Sequence, residues 1–375
     1  MKIGIVCPYN IFQPGGVQEH VEFQAAILRR RGHDVTIITP RPRGHLDEDA
    51  PEGVVFIGGS ARIKTPSATS SDVSISIDVE AVDTELAKGY DVIHVHEPAL
   101  PLLARQMLPR VSCLRVGTFH AALPGNALGR SLVRSYRAYT KTVLPYIDTI
   151  TAVSPAAIGF IENLVDDDAI TYIPNGISLE KMKTAKSSGR NTHQILFIGR
   201  LEKRKGALYA IKAFAELKVR KPNAELIIAG DGPLRDSLEN YVERSDIKDV
   251  TFLGFISNEE KYYRLSTCSV FTSPALYGES FGIVLAEAMA FGTPIVAHRN
   301  EGYEWVLQDT GRLSLVDVHD IEEYTDRLEL MMDDQQLRST WQKWAKSYVK
   351  QFDYERVVDQ YEALYKQAQS KKLVE

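Results

Sequence analysis

Cysteine is scarce in this chain: Cys7, Cys113 and Cys268 are its only three in 375 residues. They are too few for a disulfide framework and too widely spaced for a zinc site, so a reducing compartment, the cytoplasm, is the expected setting. Long hydrophobic runs are also missing. The apolar run Ile3 to Cys7 follows directly on Met1-Lys2 and is far too short for a signal peptide or a membrane-spanning helix. A soluble or peripheral protein is expected. There is no basic surplus either, since 44 Lys and Arg against 49 Asp and Glu give a formal charge of −5, which argues against a nucleic-acid binder. No repeat at solenoid spacing and no low-complexity tract interrupts the pattern. Finally, no G-x-G-x-x-G follows the first strand pattern. Pro14-Gly15-Gly16 stands there instead, and the next strand ends in Thr39-Pro40-Arg41 without an acidic residue. A nicotinamide-dependent oxidoreductase fits poorly.

What is present is a globular composition, 44% hydrophobic and 25% charged, in a chain long enough for two α/β lobes with their own cores. Apolar runs alternate with helical patterns, the signature of parallel sheets covered by helices. Strands are expected at residues 2–7, 34–39, 54–57, 91–96, 115–119, 148–152 and 170–173, then near 194–199, 224–229, 250–253, 269–272, 294–297 and 312–315. Between the two sets, Pro174-Asn175-Gly176-Ile177 and the polar stretch Lys183 to His193, with Ser187-Ser188-Gly189, read as a linker. A last helix from about Tyr354 to Gln369 carries Val357, Tyr361 and Leu364 at helical spacing.

The segment Gly278-Glu279-Ser280-Phe281-Gly282-Ile283-Val284-Leu285-Ala286-Glu287 sets two carboxylates eight residues apart around the start of an apolar helix. Amides of Phe281, Gly282 and Ile283 at that helix start offer donors and a positive dipole end to a diphosphate. Glu279 and Glu287 can accept hydrogen bonds from hydroxyls on either side of it. Taken alone, such a pair reads more readily as solvated glutamates on an ordinary strand, loop and helix. Earlier, the strand pattern Gln194 to Gly199 runs into Arg200-Leu201-Glu202-Lys203-Arg204-Lys205-Gly206. This places Arg200 and Lys205 at the carboxyl end of a parallel strand, where open α/β sheets bind ligands. The turn Gly230-Asp231-Gly232-Pro233 closes the next strand, with glycines that let backbone approach a ligand closely. In the first half, Gly15 and Gly16 open a helix and read equally as a plain tight turn or as amides turned to an anion. His120 follows the strand Arg115 to Phe119, placed to hydrogen-bond a hydroxyl or take its proton near neutral pH, while a satisfied histidine at the core edge is the commoner reading of such a residue taken alone. His94, His96 and Glu97 lack a convincing further ligand for a metal and read as a strand end lining a cleft. Asp166-Asp167-Asp168 reads as a solvated surface run. No metal site is expected.

The segments GRLEKRKG, IAGDGPL and GESFGIVLAEAMAFGTPIVA resemble those of glycosyltransferase family 4, and the resemblance extends from Met1 to about Tyr361. It implies the GT-B architecture, two Rossmann-like parallel-sheet domains facing an interdomain cleft. IGIVCPYN, PGGVQEHV, RRGHDVTIITP, DVIHVHEP and GTFHA are similar in particular to the bacterial phosphatidylinositol mannosyltransferases. The implied domains are an acceptor-binding one at 1–173, joined by the last helix at 353–375, and a nucleotide-sugar-binding one at 174–352. The implied reaction is retaining transfer of a hexose to a hydroxyl. GDP-mannose is the first donor and a UDP-sugar the second, with a phosphatidylinositol-type lipid as acceptor at the inner membrane face. A soluble or different glycolipid acceptor, and a silent sugar-nucleotide sensor, stay as alternatives.

By the same resemblance, Gly15, Gly16, Arg200, Lys205 and Gly230 surround the donor phosphates with Ser280, Phe281, Gly282, Ile283 and Val284. Glu279 and His120 meet the donor sugar, Glu287 meets the ribose, and Asn258 and Lys261 lie by the base. Tyr9, Gln18, Ser60, Arg62 and His120 approach the acceptor. His120, Arg200, Lys205 and Glu279 are the expected catalytic set. No cofactor is obligatory, with Mg2+ an optional partner of the nucleotide. The helix pattern Gly129 to Leu144 carries Arg130, Arg134, Arg137 and Lys141 opposite Leu132, Val133, Tyr136 and Val143. That face suits either an anionic lipid surface or plain solvent. A second basic helix that the lipid-acceptor relatives place near 72–88 is acidic here, with Asp78, Glu80, Asp83 and Glu85.

Overall fold

The computed structural model describes residues 1–64, 70–75, 78–123, 127–184 and 189–372. The chain folds as two compact units, Met1–Gly176 with Tyr354–Glu375, and Ile177–Asp353. Each is a twisted sheet between helices. Parallel strands are apolar on both faces because helices cover both, and that is why their runs stand out in the sequence.

The first unit holds β1 (Lys2–Val6), β2 (Asp34–Arg41), β3 (Val54–Lys64), β4 (Ser70–Ser74), β5 (Val92–His96), β6 (Leu114–Phe119), β7 (Thr149–Ala152) and β8 (Ile170–Tyr172). Their order is β4-β3-β2-β1-β5-β6-β7-β8. All pair in parallel except β4, which runs antiparallel to β3. The chain lays β1, β2 and β3 outward in one direction and then returns to place β5 on the other side of β1. Ligands in such sheets bind outside the carboxyl ends of the two strands flanking that reversal, here Cys7 to Gly16 after β1 and Glu97 after β5. The helix Tyr354–Lys372 belongs to this unit. It buries Val357, Val358, Tyr361 and Tyr365 against Ile3, Ile5, Val92 and Val116 of the sheet. At its solvent side Arg31 meets Glu355 at 2.9 Å, Asp359 at 2.8 Å and Glu362 at 3.0 Å.

The second unit holds β9 (Gln194–Ile198), β10 (Glu225–Ala229), β11 (Val250–Gly254), β12 (Val270–Ser273), β13 (Ile295–His298) and β14 (Leu315–Val316). The order is β11-β10-β9-β12-β13-β14, all parallel. Here the reversal falls between β9 and β12. The loops after those strands, Gly199 to Gly206 and Pro274 to Gly282, therefore share the crevice position.

Four expectations change. β3 extends to Lys64 and pairs with β4, an edge strand whose Ser70-Ser71-Asp72-Val73-Ser74 has too little apolar content to announce itself. The expected last strand, 312–315, is mostly a 3-10 turn over Asp309–Ser314, leaving Leu315 and Val316 in the sheet. The polar stretch read as a linker is, where described, part of the second unit. Arg190 donates to the carbonyls of Cys268 and Phe291 and to Thr293 there, while Ser187 and Ser188 lie outside the described residues. The basic helix spans Ala127–Val143, and its Val133 and Val143 are buried in the core with Tyr136 packed beside them. Its apolar side is therefore committed to the interior. Of the basic positions, Arg137 reaches the carbonyl of Glu162, and Arg134 and Lys141 are exposed. The side chains of Arg130 and Leu132 lie outside the described residues.

Candidate active site

The loop after β9 is shaped by Gly206, which adopts the left-handed region at φ 71° and starts the helix Ala207–Arg220. A Cβ there would also overlap the Pro274 carbonyl oxygen of the loop after β12. Only glycine brings the two loops this close. Gly206→Ala should lower the stability of the second unit by roughly 2 kcal/mol or more, read as a fall in the urea midpoint.

This approach sets up an ionic cluster. Glu279, nearly buried, accepts from Arg204 at 2.7 Å and Lys205 at 2.6 Å. Arg204 also donates to Glu202 at 2.6 Å and to the Gly278 carbonyl at 3.4 Å. Burial alone would raise the Glu279 carboxyl, but Lys205 and Arg204 outweigh it and hold its pKa below the ordinary value. It stays ionised at neutral pH. From behind, Gly302 backs on to the loop so tightly that a Cβ would overlap the Glu279 carbonyl oxygen. Arg200 is exposed and, among the described residues, has no ion pair. Its charge is available beside the cluster. Arg204 is absent from the residues expected on sequence grounds; its basic neighbours on both sides give no reason to single it out.

Past Glu279, the helix Ile283–Ala290 begins at Gly282, whose φ of 82° is left-handed and which gives no side-chain cap. First-turn amides of such a helix offer donors to an anion. Phe281 contributes its backbone only, because its ring is buried edge-on to Phe352 at 5.2 Å. Ser280, Ile283 and Val284 are half-buried. Inside this helix Glu287 is buried and accepts from Lys261 at 2.6 Å. Asn258, exposed, lies in the first turn of the same helix as Lys261, Asn258–Thr267. Gly230 also serves the fold. At φ 137°, a Cβ there would overlap the Gly199 carbonyl oxygen, and its N–H donates to the Gly254 carbonyl at 2.7 Å. The close approach it permits is to the protein's own backbone.

In the first unit, Gly15 precedes the helix Gly16–Arg30 in extended conformation without a side-chain cap. Gln18 is buried, with its amide 3.4 Å from the Asn10 carbonyl. Tyr9 is half-buried, and burial together with Glu97 holds its hydroxyl well above the usual pKa. Ser60 donates to the Arg41 carbonyl at 2.9 Å, whereas Arg62 is exposed on β3.

His94, His96 and Glu97 do not line an open strand end; all three are buried. They lie beneath the helix Tyr354–Lys372 and join His20 and His120 in a compact cluster. Tyr365 Oη is 2.6 Å from His94 Nδ1, and His94 Nε2 is 2.6 Å from Thr118 Oγ1. Gln24 Oε1 is 3.1 Å from His96 Nε2, and His96 Nδ1 is 2.8 Å from His120 Nε2. An amide oxygen only accepts, so with this orientation of Gln24 the proton of His96 is on Nε2 and its Nδ1 accepts from His120. His120 is thereby left with an unprotonated Nδ1. Burial drives His96 and His120 well below the ordinary histidine pKa, His20 to about 4 and His94 to about 3. His120 is therefore neutral at pH 7 and suited to hydrogen bonding, where the sequence also allowed proton uptake. Glu97, at φ 51°, accepts from the backbone N–H of His120 and of Ala121 at 2.6 Å. Burial raises its carboxyl to about 7 despite these two bonds.

Residues 14–181 match the family model "Glycosyltransferase Family 4" and residues 180–348 match "Glycosyl transferases group 1". A phosphatidyl-myo-inositol mannosyltransferase of Mycolicibacterium smegmatis is 32% identical over 97% of this chain and 93% of its own. One from Mycobacterium tuberculosis is 31% identical over 97% and 96%. Among solved structures, the Anabaena protein HepE in complex with UDP superposes with a TM-score of 0.74 at 18% identity, covering 98% of this chain and all of that one. The last likeness concerns the fold.

Proposed function

The chain belongs to glycosyltransferase family 4, with the GT-B fold, and from that premise we propose that it is a retaining mannosyltransferase acting on a phosphatidylinositol-type lipid. The observation that carries the reading is Glu279, held by Arg204 and Lys205 at the reversal of the second sheet. Arg200 and the uncapped helix start at Gly282 are its neighbours in the loops flanking that reversal.

In this reading the glycosidic carbon–oxygen bond breaks with its electron pair going to the diphosphate. The acceptor hydroxyl oxygen bonds to the anomeric carbon, and its proton passes to a phosphate oxygen. Arg200, Lys205 and the helix-start amides stabilise the developing negative charge, and such preorganised electrostatics often contributes more to catalysis than any other effect. Glu279 holds hydroxyls of the sugar ring. With two cations on its carboxylate, it is a weak nucleophile. Glu287 takes the ribose, and Asn258 lies by the base. Neutral His120 accepts a hydrogen bond from a sugar hydroxyl. In the first unit Arg62 offers an exposed charge to a lipid phosphate, while Ser60 supports the Arg41 backbone.

Mannose and phosphatidylinositol rest on the names of the curated relatives; the UDP-bound neighbour keeps a UDP-sugar as second donor. Among the described residues no helix is long and apolar enough to cross a membrane. Contact with the inner membrane face would then come through Arg134, Lys141 and Arg62. Purified protein is incubated with labelled GDP-mannose or UDP-glucose, with and without phosphatidylinositol vesicles. Labelled lipid from GDP-mannose supports the proposal. Transfer from UDP-glucose alone replaces the donor, and label bound without any product points to a sugar-nucleotide sensor.

A further inference from the structure

A second chemical cluster lies in the second unit, at the carboxyl ends of β13 and β14. His298 is the last residue of β13, paired with Val316 of β14, and Asp317 and His319 follow immediately. Asp317 Oδ1 is 2.8 Å from His319 Nδ1 and 3.9 Å from His298 Nδ1. One ligand atom from each of the three lies within 4.8 Å of the others. The two imidazole planes meet at 78° with centroids 5.4 Å apart, edge to face and not stacked.

A tetrahedral ion bound at about 2.0–2.1 Å by nitrogen and oxygen keeps its ligand atoms about 3.3 Å apart. The two measured separations bracket that distance, and a small rotation of His319 and Asp317 would equalise them. Both are more than half exposed, leaving an entry route and a fourth position for water. The framework around them is set by other contacts. Asp317 Oδ1 accepts from the His319 backbone at 2.9 Å, and the Asp317 N–H donates to Glu323 at 3.0 Å. The Tyr209 ring stands edge-on to His319 at 5.1 Å. Two imidazoles and one carboxylate suit a zinc-like transition ion. Mg2+ prefers all-oxygen surroundings.

We infer that His298, Asp317 and His319 form a binding site for a divalent transition-metal ion of the zinc class, separate from the Glu279 cluster. The ion would tie β13 to β14 two residues before Asn300. Asn300 caps the helix Glu301–Val306 at 3.0 Å and donates to the Ala275 carbonyl at 2.8 Å. Gly302 of that helix abuts the Glu279 backbone. The site is thus a clamp on the scaffold behind the ionic cluster, and it stands whether or not the donor and acceptor are as proposed above.

The test uses chelator-treated full-length protein titrated with Co2+, followed by visible absorption, and with Zn2+ in competition. One equivalent of Co2+ per chain is expected, displaced by Zn2+ and not by a hundredfold excess of Mg2+. Zn2+ should also raise the melting temperature. His298→Asn and His319→Gln should each weaken binding at least tenfold, and the double variant should abolish it. His45→Gln, at an exposed histidine of the first unit, should leave it unchanged. Should the double variant fail to fold, the exposed Asp317→Asn carries the test with the same expected loss. No saturable Co2+ binding by the wild type, displacement by Mg2+, or undiminished binding in the variants would overturn the inference.

Discussion

Lys205→Ala is expected to lower kcat/KM for transfer about 10²- to 10³-fold, the usual cost of deleting one preorganised donor to a developing anion. Arg200→Ala should fall in the same range. The structure separates their side effects. Lys205 shares the Glu279 carboxylate with Arg204, so its loss leaves a nearly buried carboxylate with one partner and also loosens sugar binding. Arg200 has no ion pair among the described residues, and its removal should act on turnover with little change in stability. Arg204→Ala should behave differently again. It unfastens Glu202 and the Gly278 carbonyl and should raise KM for the nucleotide sugar more than it lowers kcat. Steady-state kinetics on variants of unchanged circular dichroism distinguish these patterns. A folded Arg200→Ala, Lys205→Ala double variant with near-normal turnover would remove the electrostatic role assigned to the pair.

Acidification should unfold the first unit well above the pH at which ordinary carboxylates titrate. His20, His94, His96 and His120 are buried and neutral, with pKa values depressed by burial and by one another. Gln24, Thr118, Asn175, Tyr361 and Tyr365 face them with neutral groups. In the unfolded chain each histidine takes up a proton near pH 6.5. Stability is therefore full above that pH and is lost as pH falls toward the folded values, about 4 for His20 and about 3 for His94. Glu97 works against this, because its folded pKa near 7 exceeds the unfolded value and it gains stability as pH falls between 7 and 4.5. Averaged between pH 6.5 and 5.5 the net difference is about two protons, or about 3 kcal/mol lost over that unit. That is a large part of a domain's stability. Trp305, Trp341 and Trp344 all lie in the second unit. Far-ultraviolet circular dichroism should accordingly show a falling urea midpoint over this range, while tryptophan fluorescence shifts less. His94→Asn should flatten the dependence by about one proton. A circular-dichroism midpoint unchanged from pH 7.5 to 5.5 contradicts the buried, neutral assignment.

The architecture was legible because parallel strands are buried on both faces: Ile3 to Cys7, Ile195 to Ile198 and Leu226 to Ala229 read as unbroken apolar runs between helical patterns. β4 escaped because an edge strand's polar residues carry no such run, and its pairing is set by β3, outside its own segment. Gly206 and Gly282 were visible as glycines. That a Cβ on Gly230 would meet the Gly199 carbonyl depends on the β9–β10 pairing. For the histidines, the sequence showed His94 and His96 on one strand. Their partners come from Gln24 and from Tyr365, some 270 residues further on, a separation no local period reports.

By itself, then, the sequence determined the two parallel sheets, the crevice loops at Arg200–Gly206 and Gly278–Gly282, and the family. These follow from local chemistry: apolar periodicity, glycine at left-handed positions, and charge placed next to a strand end. Tertiary structure alone decided that Arg204 joins Lys205 on Glu279, that His120 is neutral and directed through His96, and that His298 meets Asp317 and His319. Each depends on side chains from elements far apart in the chain, and burial and hydrogen-bond direction exist only once the sheet order has brought them together.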